Sequence, residues 1–279
     1  MKNYQIGLYE KSMPNEMSLR EKLDTAKKAG FDYLEISIDE TDEKLARLDS
    51  SISEFKEMLN DIIQTDFPIR SMCLSGHRKY PLGTSDSEKE KRSLDIMLKA
   101  VKLAYVLGIR TIQLAGYDVY YEESSQDTKD RFLTNLRKAV DMASEYGVIL
   151  GFETMETPFM DTVHKAMYYV NKIDSPYLQV YPDCGNLTNA SKIYKTSVKD
   201  DILSGKGHIV ALHLKETLPG KYREIPFGTG HVDFDEIIKT STDIGVRRFV
   251  TELWKTDDNW YDSIVFARKM MSEKIEKYL

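Results

Sequence analysis

A barrel of eight β/α units is the fold this sequence predicts, and three observations predict it. One punctuation recurs along the 279 residues: an amphipathic helical stretch, a Gly or Pro, then a short β-branched or aromatic run. The apolar runs are continuous rather than alternating, as suits strands covered on both faces. Eight of them, separated by helical segments, fall within about the length that one such barrel needs. A doubly wound parallel sheet is the fallback arrangement.

The strands are expected near residues 4–9, 31–38, 69–75, 111–116, 148–153, 178–183, 209–214 and 248–254. The first begins at once, in MKNYQIGLYEKS, a start without the apolar h-region of a secretory leader. AKKAGFDYLEISI turns from helix to strand two at Gly30, and AYVLGIRTIQLAG does so at Gly108. ASEYGVILGFE repeats the step at Gly147, and TDIGVRRFVTE at Gly245. Glycine takes the left-handed cap that other residues resist, so each marks a helix end. Pro68 in TDFPIRSMCLS and Pro176 in DSPYLQVYPD stop the helices before strands three and six. TDEKLARLDSSISEFKEMLNDIIQ and SEKEKRSLDIMLKAVKLAYVL read as long helical stretches between strands. No linker, low-complexity segment or composition shift interrupts the pattern, which predicts a single domain over residues 1–279.

Composition narrows the class of function. A hydrophobic content of 41% supports a large core, and a net charge of −6 argues against nucleic-acid or anionic-membrane partners. No run of eighteen or more apolar residues suggests a membrane span. The two cysteines, Cys73 and Cys184, fall in or beside apolar strands and read as small core residues rather than a disulfide. A cytoplasmic protein is expected.

In such a barrel, catalytic groups sit where strands end, on the face built by the βα loops. The last four strands end as VILGFE, LQVYPD, IVALH and RFVTE, delivering Glu153, Asp183, His213 and Glu252. Taken singly, a strand-end acid is more often a helix N-cap or ion-pair partner, and a histidine a hydrogen-bonded core residue. Four in succession at the same end point elsewhere. Three buried carboxylates left unpaired repel one another at several kcal/mol each, on the order of the penalty for desolvated ions. A divalent cation removes that repulsion, and oxygen ligands with one imidazole suit Mn²⁺, Mg²⁺, Co²⁺ or Zn²⁺.

The loops carry a closer resemblance. IDETDEKLARLD, MCLSGHRKYPLG and IQLAGYDVYYEE follow strands two to four, and YPDCGN, HIVALHLKETLPG and PFGTGHVDF lie further on. With these motifs the chain closely resembles, over almost its whole length, the L-xylulose 5-phosphate/L-ribulose 5-phosphate 3-epimerases of L-ascorbate degradation, which are xylose isomerase-like TIM barrels. The resemblance implies one divalent metal held by Glu153, Asp183, His213 and Glu252, a pentulose 5-phosphate substrate and a homodimer. It also implies that Glu153 and Glu252 are the acid/base pair. Inverting the carbinol beside a ketone needs two such groups on opposite faces of a planar enediolate, with positive charge on the developing oxyanion. Neither glutamate is assigned a direction.

Asn186 is placed to hydrogen-bond a sugar hydroxyl, or else to stabilise the turn after Gly185; related unphosphorylated-ketose epimerases tend to have histidine there. For the substrate and its phosphate, Ser75, His77 and Arg78 follow strand three and Lys215 follows strand seven, with Lys221, Arg223 and the amides around Gly228 and Gly230 beyond it. Glu35 and Gln113 orient a water or a substrate hydroxyl, or pair with each other inside the barrel. Tyr117, Tyr120 and Tyr121 form a dimer contact or a lid. His164 and His208 read as structural, and Asp233, after His231, as a helix N-cap. An unphosphorylated ketose 3-epimerase or a sugar isomerase is the alternative. An apurinic-site endonuclease barrel is disfavoured by five histidines, net negative charge and no basic stripe.

Overall fold

The computed structural model describes residues 3–279, so Met1 and Lys2 of the MKNYQIGLYEKS start lie outside the described residues. Eight strands follow one another as β1 (Gln5–Tyr9), β2 (Tyr33–Ile38), β3 (Ile69–Leu74), β4 (Thr111–Ala115), β5 (Ile149–Glu153), β6 (Leu178–Val180), β7 (Leu212–Leu214) and β8 (Arg248–Thr251). Their order in the sheet is β6-β5-β4-β3-β2-β1-β8-β7, and every pairing is parallel. Parallel bridges Val180↔Ile209 and Asp183↔His213 join the two outer segments and close the circle. The doubly wound alternative is excluded by that closure.

Helices α1 (Leu19–Lys28), α2 (Asp42–Ala46), α3 (Ile52–Thr65), α4 (Ser87–Leu107), α5 (Gln126–Glu145), α6 (Val163–Ile173), α7 (Cys184–Tyr194), α8 (Val198–Ser204), α9 (Phe234–Asp243) and α10 (Trp260–Glu276) connect the strands. The glycines expected at helix ends, Gly30, Gly108, Gly147 and Gly245, all have positive φ. Ahead of Pro68 and Pro176 the left-handed cap is made without glycine, by Asp66 and Asp174. One expected long helix is interrupted. The stretch 41–64 breaks at Ser50, because Ser51 forms a capping box with Glu54 and starts α3 afresh. Among the described residues, no helix is long and apolar enough to cross a membrane.

Apolar side chains such as Ile6, Leu34, Ile36, Ile112, Leu150 and Phe249 face the helices and form the main core. Inside the barrel the filling is different. Tyr9, Tyr33, Cys73, Tyr181, Ala211 and Val250 cluster there, around buried Glu35, Ser71 and Gln113. The strands therefore alternate after all, with an apolar outer face and a tyrosine-rich, polar inner face. Both faces are covered, so the alternation does not show as exposure. At the end of β1, Glu10 is buried against Lys22 (3.1 Å), Lys44 (2.9 Å) and Arg47 (2.8 Å), and accepts from Ser37 N at 2.8 Å. Burial opposes its charge, but these cations hold its carboxyl well below the usual range. The node ties β1 and β2 to α1 and α2 beside the mouth of the barrel.

Gly151 makes room for Tyr181: a Cβ there would lie 2.8 Å from the tyrosine Cβ. Gly151→Ala is expected to destabilise the fold by about 1–3 kcal/mol through overpacking. Urea unfolding checks this, and an unmoved midpoint would mean the ring relocates freely.

Candidate metal centre

Glu153 is the last residue of β5 and His213 the middle of β7, whereas Asp183 and Glu252 lie just beyond β6 and β8. Those two strands end earlier than expected, although Asp183 still bridges His213 and Glu252 N still donates to Leu214 O. All four side chains are buried, and each offers a ligand atom within 4.8 Å of the others. His213 Nδ1 is 2.7 Å from Glu252 Oε2, 3.9 Å from Glu153 Oε1 and 4.0 Å from Asp183 Oδ2.

Asp183 shows how the scaffold aims a ligand. It is also the N-cap of α7, its Oδ1 accepting from Asn186 N at 2.7 Å. Lys215 Nζ stands 3.2 Å from the same oxygen. Oδ2, facing the cluster, is buried without a hydrogen-bond partner. A buried acceptor of that kind calls for a partner, and a cation held by the cluster supplies one. Three carboxylates and one imidazole, with this orphaned oxygen between them, fit a divalent cation.

The electrostatics are divided. Burial pushes Glu153 up to about 8, and the Glu252 charge adds to the rise while His213 opposes it. Burial also lifts Asp183 to about 7, against the opposing pull of Lys215 and with help from Glu252. Glu252 goes the other way: burial resists its ionisation, but Lys215 and His213 hold it well below its ordinary value. For His213, burial disfavours the imidazolium, and the Glu35 and Glu252 carboxylates outweigh it and raise its pKa.

Above the cluster opens a cavity. Glu153, Glu252, Lys215 and Asn186 line it, while Asp183 and His213 lie fully buried behind. Of the residues expected to meet substrate, Ser75, Arg78, Asn186 and Lys215 are there, and Arg223 joins them. His77 is not. Its ring turns into the protein, Nε2 lies 3.1 Å from Ser93 O, and burial lowers its pKa to about 4. The amides near Gly228 and Gly230 are not there either, because that loop folds around Glu216, which accepts from Gly228 N and Val232 N. Lys221 pairs its backbone with Leu218 and lies off the cavity.

Asn186 braces the segment just beyond β5 rather than the turn after Gly185. Its Nδ2 donates to Thr154 O at 2.7 Å, while its Oδ1 is buried without a hydrogen-bond partner. The tyrosine loop divides. Tyr121 is exposed, but Tyr117 and Tyr120 lie under Arg78, whose guanidinium sits 4.7 Å from the Tyr120 ring. Tyr117 donates to Glu156 at 2.7 Å, and Arg223 reaches the same carboxylate at 2.9 Å. Glu35 and Gln113 do not pair: Glu35 meets His213, and Gln113 donates to Tyr181 O. Asp233 caps α9 as expected.

The cavity also contains residues unmarked in the sequence reading: Tyr9, Lys11, Met155, Glu156, Tyr222 and Trp254. Most had a usable signal, lying at or within three residues of a strand end. Tyr222 had none, for its place depends on how the loop after β7 folds.

A closed parallel barrel with an acidic, imidazole-bearing centre at its C-terminal mouth defines a class. The chain belongs to the xylose isomerase-like TIM barrel family, whose model matches residues 23–270. It is 40% identical over 278 residues to the L-ribulose-5-phosphate 3-epimerase UlaE of Escherichia coli (strain SMS-3-5 / SECEC), covering 99% of this chain and 96% of that protein. The protein of the same description from Shigella sonnei (strain Ss046) matches equally, at 40% over 99% of this chain and 96% of its own. Among solved structures, an L-ribulose 3-epimerase superposes with a TM-score of 0.78 at 19% identity, covering 99% of this chain and 95% of that one. The D-psicose 3-epimerase of Clostridium cellulolyticum H10 gives 0.82 at 17%, covering 97% and 99%. At these identities the structures speak for the fold.

Metal uptake must displace the protons held by Glu153 and Asp183, raised to about 8 and 7, and the Nδ1 proton of His213, whose pKa is raised as well. Affinity for Mn²⁺ is therefore expected to fall on acidification, by about a hundred-fold or more from pH 8.5 to pH 6. Calorimetry in buffers of different ionisation enthalpy would also register the released protons. A flat profile would mean that neither the two carboxylates nor His213 Nδ1 holds a proton over that range.

Proposed function

We propose that the chain is a metal-dependent 3-epimerase interconverting L-xylulose 5-phosphate and L-ribulose 5-phosphate. The observation that carries this is the convergence of Glu153, from β5, and Glu252, from the end of β8, on one cavity beside a metal-competent donor set. The identity to proteins described as L-ribulose-5-phosphate 3-epimerases supports the substrate class.

One glutamate removes the C3 proton of the ketose, leaving a planar enediolate, and the other returns a proton to the opposite face. Asp183 and His213, buried behind the cavity, anchor the cation with the two glutamates. A divalent ion, when bound, supplies Lewis-acid charge to the developing oxyanion. The donor set suits Mn²⁺, Mg²⁺, Co²⁺ or Zn²⁺. Lys215, beside Asp183 and lining the cavity, adds fixed positive charge. The unpaired Oδ1 of Asn186 accepts from a sugar hydroxyl.

Arg78 binds the phosphate, with Ser75 on the same side and Lys11 and Arg223 lining the rest of the mouth. Its Nε is buried without a hydrogen-bond partner, and its guanidinium lies over the Tyr120 ring at 4.7 Å. The enzyme's setting follows from the same reading: one domain over residues 1–279, a homodimer, cytoplasmic, in L-ascorbate degradation.

Incubation with L-xylulose 5-phosphate in D₂O tests the proposal. Deuterium is expected at C3 as L-ribulose 5-phosphate appears, both abolished by chelator. Glu153→Gln and Glu252→Gln are each expected to lower kcat by about 10²–10⁴-fold. No exchange and no product from metal-loaded protein would sink the phosphopentulose reading, and turnover of free ketoses would then establish the unphosphorylated alternative. Arg78→Ala should raise KM for the phosphorylated substrate while leaving kcat nearly unchanged, and an unchanged KM would remove Arg78 from the phosphate site.

A further inference from the structure

Beneath the donor cluster, inside the barrel, lies a carboxylate that the chemistry above does not use. Glu35 stands in the middle of β2, is fully buried and does not line the cavity. Its Oε1 lies 2.5 Å from His213 Nε2, across the barrel interior from β2 to β7. Its Oε2 accepts from Ser71 Oγ at 2.6 Å and from Tyr181 OH at 2.8 Å. Ser71 comes from β3 and Tyr181 follows β6, so four different segments meet at this one side chain.

Oε2 already takes two donors, which leaves Oε1 to accept from the imidazole Nε2. With Nε2 committed to Glu35, the ring's other nitrogen is the one that faces Glu153, Asp183 and Glu252. An anionic acceptor on Nε2 also makes Nδ1 a better electron-pair donor. The position is built rather than incidental: glycine at 151 leaves the space in which Tyr181 reaches Glu35.

We propose that Glu35 is the positioning residue of the metal centre: held by Ser71 and Tyr181, it fixes the tautomer and orientation of His213 and so sets the affinity of the site for its cation. The proposal rests on the metal reading given above. Glu35 touches neither substrate nor the reacting atoms, so its effect on turnover passes through His213.

The test is titration of chelator-stripped protein with Mn²⁺, following free ion by its electron paramagnetic resonance signal, for the parent and three variants. Glu35→Gln keeps an acceptor for Nε2 but loses the charge, whereas Glu35→Ala loses both. Tyr181→Phe keeps the carboxylate and removes one of its donors. Kd is expected to weaken by about 10-fold in Glu35→Gln and about 100-fold in Glu35→Ala, with a smaller loss in Tyr181→Phe. Urea midpoints of the stripped proteins separate this from damage to the fold, since a weakened Kd at an unmoved midpoint is something a purely structural role would not produce. Kd values within about two-fold of the parent in both Glu35 variants would overturn the proposal. Should Glu35→Ala not fold, unchanged Kd in Glu35→Gln and Tyr181→Phe would overturn it equally. A parent that binds no Mn²⁺ would instead bring down the metal centre itself.

Discussion

Carboxylates that are buried together must be given a reason to stay together, and the upper half of this barrel is arranged around that constraint. Glu153, Asp183 and Glu252 present oxygens within 4.8 Å of one another and of an imidazole. Lys215 is drawn in beside Asp183 and Glu252, its pKa raised by both although burial opposes the charge. His213 sits between Glu252 and Glu35 for the same reason. One ammonium and one imidazole do not balance four carboxyl groups, and a divalent cation is the natural remainder. The opposing shifts of Glu153 and Glu252 express this competition, since Glu252, 2.7 Å from His213 and 3.8 Å from Lys215, keeps its charge the more readily of the two.

The scaffold meets the constraint by giving single residues two duties. Asp183 caps α7 through one oxygen and leaves the other to the cluster. Asn186 braces the Thr154 carbonyl through its amide nitrogen and leaves its oxygen unpaired. In each case the structural contact fixes the rotamer and leaves the other oxygen unpaired, so the orientation of these groups is set by the scaffold itself. Towards solvent the same logic continues in charge networks. Arg78 lies on the tyrosines that hold Glu156, and Glu156 holds Arg223, so the loops after β3, β4, β5 and β7 are cross-linked at the mouth.

Much of this was legible in residue order. The cadence of helix, glycine and apolar run marks eight β/α units because helix ends need left-handed caps and buried strands need branched side chains. Positions at strand ends point to one face because parallel strands in a barrel all finish on the same side. Glu153, Asp183, His213 and Glu252 could therefore be singled out without coordinates. His77 could not be judged that way. It lies in a short turn, Gly76–Arg78, where one residue of rotation separates a side chain in the cavity, Arg78, from one buried against α4.

The sequence by itself determined the barrel, the face on which its chemistry lies and the donor types brought there, since these follow from periodicity and strand direction. Tertiary structure alone decided which side chains meet across the interior. The contact from Glu35 to His213 joins residues 178 positions apart, and that from Tyr181 to Glu35 spans 146. No local pattern encodes such pairs, because they depend on the curvature that closes the sheet and on which inner-layer positions are small enough to let a tyrosine through.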